Sequence, residues 1–156
     1  MTNAAVRDAM EAAATTAGVG TYIFGHIWEF NNRRFPTYPA LLVQRWERSL
    51  NLRSYDVVEI PEFTFFVFVE YNPNSENIKE AAQGATGTGA EGMDWPVKVT
   101  TEDGAYDRCD YYAKLFIAAL EDSGFTVTNA RADDGDWKSV NNDIGTRYSC
   151  NLKIHC

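Results

Sequence analysis

The sequence predicts an α+β fold. A single domain over residues 1–156 is expected, with an antiparallel or mixed sheet of about five to six strands, a long amphipathic helix packed on one face, and a shorter N-terminal helix. Three observations point there. The elements group as helix, strands, long loop, long helix and two strands, instead of the strict βαβα alternation of a doubly wound sheet. Period-two apolar patterns alternate in blocks with one clear three-and-four pattern. Finally, 156 residues with 45% hydrophobic and 13% aromatic content can bury one core without disulfide or metal staples.

Asn3 is a plausible N-cap for AAVRDAMEAAATTAG, in which Val6, Met10, Ala13 and Ala17 share a face and Gly18 is a stop. From Thr21 the pattern becomes TYIFGHIWEFNN, with Tyr22, Phe24, His26, Trp28 and Phe30 on one side at period two, which predicts a strand. Pro36 and Pro39 then forbid a helix, and Ala40 to Trp46 reads as a second strand or an edge. SYDVVEIPEFTFFVFVEYN is the strongest strand signal. Phe63, Phe65, Val67, Val69 and Tyr71 alternate with Thr64, Phe66, Phe68 and Glu70, so both faces are apolar in the middle and both need cover. In a small α+β domain helices usually cover only one face, which leaves the other for a neighbouring subunit.

Between Thr101 and Gly124 the spacing predicts the long helix. Ala105, Cys109, Tyr112, Phe116 and Leu120 form its stripe, widened by Ala113 and Ile117, with Asp103, Asp107, Asp110, Lys114 and Glu121 facing away and Gly124 as the stop. Phe125 to Ala132 is the next strand, DDGDW a turn, and Thr146 to Cys156 the last strand, where Tyr148, Cys150, Leu152 and Ile154 alternate with Arg147, Ser149, Asn151 and Lys153.

Residues 72–96 break the composition: polar, Gly-rich and closed by Pro96, too long for a passive connection. Within this loop QGATGTGAEG places Gly87, Gly89 and Gly92 in a GxGxxG spacing, which cradles a pyrophosphate only where a strand feeds the turn and a helix opens directly after it. SENIKEAAQGAT before it is no strand pattern, and MDWPVKV after it cannot open a helix. The stretch reads instead as a flexible Gly/Thr/Ala loop, or as a glycine-rich arm that orders against a partner.

Other chemistry is sparse. His26 and His155 are the only histidines, with no metal-ligand spacing around them. Asp107 and Asp110 read as a solvated helix face, and Asp133, Asp134 and Asp136 as a turn without calcium-loop spacing. Cys109 falls on the apolar stripe as a small hydrophobe. No catalytic, cofactor or metal site is expected. Lys and Arg number 14 against 22 acids, a net charge of −8, with Arg33-Arg34 the only basic pair that stands out, so no footprint for sequence-specific nucleic-acid binding exists. An odd count of cysteines without CxxC fits a reduced compartment, and no apolar run is long enough to span a bilayer. Of Trp28, Trp46, Trp95 and Trp137, the loop-end Trp95 and the turn residue Trp137 are the better interface candidates.

Taken together, the Ala-rich first helix, TYPALLV, EFTFFVFVEYN, the long loop, the helix with its GF exit and the final DDGDW…IGTRYSCNLKI pair resemble the tail terminator proteins of tailed bacteriophages. That resemblance is one of layout over most of the chain. It implies a non-enzymatic virion subunit at the head-proximal end of the tail, assembled in the host cytoplasm as a homo-oligomer, a hexameric ring. Such a ring caps the tail tube protein and joins it to the head-to-tail connector protein, with DNA passing through an acidic lumen that does not hold phosphate. Partner contacts are expected at Arg33, Arg34, Gly84, Gly87, Gly89, Gly92, Trp95 and Trp137, and no membrane contact is expected. The alternatives are another ring-forming head-to-tail joining or tail adaptor protein, and a small cytosolic ligand-binding domain or enzyme whose aromatic strands line a pocket.

Overall fold

A computed structural model describes residues 3–31, 37–44, 49–50, 57–70, 86–88, 94–96, 102–134 and 143–155. The order is α1 (Asn3–Ala17), β1 (Thr21–Gly25), α2 (Ile27–Asn31), β2 (Ala40–Gln44), β3 (Ser49–Leu50), β4 (Val57–Glu70), β5 (Thr86–Thr88), β6 (Asp94–Pro96), α3 (Glu102–Asp122), β7 (Phe125–Asp133) and β8 (Asp143–His155). The fold is α+β. A six-stranded mixed sheet runs β1-β2-β4-β8-β7, with β3 on β4; β1 and β2 are parallel and every other pair is antiparallel.

The main core lies between this sheet and the two longer helices. Val6, Met10, Ala13, Ala14 and Ala17 of α1 and Ala105, Cys109, Ala113, Phe116 and Leu120 of α3 are buried against Leu41, Val43, Phe63, Phe65, Val67, Val69, Tyr148, Cys150 and Leu152. Small residues let α1 approach closely, while Phe116 fills the space beneath α3, with its ring centroid 5.1 Å from that of Phe65. Each helix ends where expected: Gly18 and Gly124 adopt φ of 83° and 96°, the left-handed region open to glycine. After α3 the Ser123 and Gly124 amides donate to the Ala119 and Glu121 carbonyls, satisfying part of the helix end.

The strand expected across residues 21–30 is corrected. It stops at Gly25, and Ile27–Asn31 is a short helix opened by the Glu29 amide donating to the His26 carbonyl. Trp28 and Phe30 explain why sequence spacing misleads here. An i, i+2 pair shares one side of a strand but falls on nearly opposite sides of a helix. Accordingly Trp28 is 59% exposed and Phe30 1%. Phe30 stacks on Phe68 at 4.6 Å between centroids and joins Ile23, Ala40, Leu42 and Phe66 in a second core on the other face. The expectation that helices leave one face uncovered is thus corrected over β1, β2 and β4, where α2 supplies the cover. Nor is β2 an edge, since it pairs with β1 and β4.

Pro61 sits inside β4, a central strand, without breaking it. The ladder is interrupted there by a bulge between Ile60 and Phe63, so the missing proline N–H costs no regular ladder bond. In the Gly-rich stretch, β5 and β6 form a separate antiparallel ladder, with Thr86, Gly87 and Thr88 opposite Pro96, Trp95 and Asp94. The stretch expected as a loop therefore contains a paired element.

Candidate docking groove at two strand bulges

Strand β8 is flanked on both sides by bulges at the same place. On the β4 side, Ile60 pairs with Leu152 and Phe63 with Cys150, so Pro61 and Glu62 oppose the single residue Asn151. On the β7 side, Thr128 pairs with Asn151 and Arg131 with Ser149, so Asn129 and Ala130 oppose the single residue Cys150. Asn129 takes φ of 55°, a left-handed conformation that asparagine tolerates better than most residues. Residues of both bulges line a groove of about 540 Å³.

The groove is polar. Glu62 and Arg131 contribute opposite charges, Asn129 and Asn151 two amides, and Ser149 a hydroxyl, with Cys150 also in the lining. Among the described residues, none of those five polar side chains makes a hydrogen bond or ion pair. Cys150 itself is buried and weakly donates to the Phe63 carbonyl at 3.7 Å, and burial pushes its thiol up to about 12. At neutral pH it is therefore a buried thiol and not a nucleophile.

Just beyond the groove, polar groups are paired. The Tyr148 hydroxyl donates to Asp110 at 2.6 Å, Thr146 donates to Asp134 at 2.9 Å, and Arg147 bridges Asp133 at 3.0 Å. Burial first, and then the bond to Asp110, holds the Tyr148 phenol far above its ordinary range. Asp110, expected on the solvated face of the helix, instead turns partly inward to accept this bond. A side chain at the border of a helical stripe can reach a polar tip on the sheet, which spacing alone does not reveal. Tyr38 makes a matching 2.6 Å bond to the buried Asp143 and is likewise pushed up by burial and that bond. Cys109 is fully buried, donates to the Val67 carbonyl at 3.3 Å, and is pushed up to about 12, chiefly by burial.

Of the residues expected at partner contacts, Gly87 and Trp95 are brought together as register partners in the β5–β6 ladder. Arg33, Arg34, Gly84, Gly89, Gly92 and Trp137 lie outside the described residues, as does Asp136. The nucleotide reading of the glycines meets a further difficulty, since Gly87 lies within a strand and β6, not a helix, is the next described element after Gly92. His26 is exposed and stacks on Trp28 at 6.3 Å. Among the described residues no three acidic, histidine or cysteine side chains gather as metal ligands, and no helix is long and apolar enough to cross a membrane. The groove itself was invisible to periodicity; Pro61 inside a strongly apolar strand was the one signal of a bulge. The chain matches no family model and no curated protein in sequence.

Proposed function

We propose that this chain is a ring-forming structural subunit of the tail terminator kind, capping a phage tail tube and joining it to the head connector. The observation that carries the assembly part of this reading is the β5–β6 ladder. Two strands of three residues each, paired with one another and not part of the main sheet, are too short to be stable in water alone. A partner surface supplies what the ladder lacks. The tail assignment rests on the layout resemblance, and the chain's net charge of −8 suits a lumen that passes DNA without holding it.

The groove favours a second reading, a ligand-binding domain. Small-molecule pockets, however, are mostly apolar with a few polar groups, whereas this groove is lined by charges, amides and a hydroxyl. The aromatic residues once expected to line a pocket fill the two cores instead. A polar stretch of polypeptide suits the lining better.

The test is capping of growing tail tubes. Added to polymerising tube protein from its own particle, the chain is expected to stop elongation and appear as a ring at one tube end in electron micrographs. Tubes of undiminished length with bare ends would contradict the proposal.

A further inference from the structure

We draw no further inference here: the strongest candidate, the polar groove at the two bulges flanking β8, carries nothing, because its opposite charges Glu62 and Arg131 balance one another and nothing in the structure shows what covers it.

Discussion

The Tyr148 hydroxyl donates a 2.6 Å hydrogen bond to Asp110, fastening the middle of β8 to α3 directly beside the strand pair that carries the groove. Its ring meanwhile stacks on Phe65 at 5.0 Å between centroids. Tyr148→Phe keeps the stack and removes the donor, leaving a part-buried carboxylate without it. Chemical denaturation is expected to report a loss of about 1–3 kcal/mol at unchanged m-value. A variant as stable as the parent would show that water replaces the bond without cost.

Alkaline pH should weaken the fold in a defined order. Burial raises Cys109 and Cys150 from 9.0 to about 12 in the folded chain. A group whose folded pKa is raised binds its proton more tightly when folded, so its contribution is complete below the unfolded pKa and is lost as pH rises above it. Stability is therefore expected to be insensitive to these thiols below pH 9 and to fall from about pH 9 towards 12. Tyr22, Tyr38 and Tyr148, also raised from 10.0, add to the loss above pH 10. Thermal melts across this range check the direction.

The same burial makes both thiols slow to react. In a Cys156→Ser background, a thiol reagent at neutral pH is expected to label neither Cys109 nor Cys150 in the native chain and both after unfolding. Rapid native labelling of either would contradict their placement in the core.

Phe30 and Trp28 make a matched pair of substitutions. Phe30→Ala empties a fully packed position against Phe68 and is expected to cost about 3–5 kcal/mol. Trp28→Ala, at an exposed site, is expected to change stability by no more than about 0.5 kcal/mol. Equal effects would contradict a helix at Ile27–Asn31, since a strand would put both side chains in one environment.

These two residues also show how much the sequence made legible. Long regular elements were readable because many residues vote for one period: α1, α3, β4 and β8 lie where their apolar spacing puts them. A five-residue helix has too few votes, and Tyr22, Phe24, Trp28 and Phe30 satisfy a strand template across its boundary. Fold class followed from the order of long elements and survived that error. The groove was not legible, because a bulge is a mismatch between two strands distant in sequence, here residues 60–63 against 150–152. Register pairs such as Gly87 with Trp95 likewise depend on where the chain turns back.

Deleting Gly84 to Gly92 removes β5 and with it the hairpin, but no strand of the main sheet. The expected outcome is a chain with its thermal transition nearly intact that no longer assembles. Loss of folding in that deletion would make the hairpin part of the core and not an arm.

Assembly is the central claim, and the mass of the full chain in solution tests it most directly. Light scattering after size separation, across a range of concentrations, is expected to give a closed species at six times the 17.5 kDa chain mass. A strict 17.5 kDa monomer at every concentration would contradict the account.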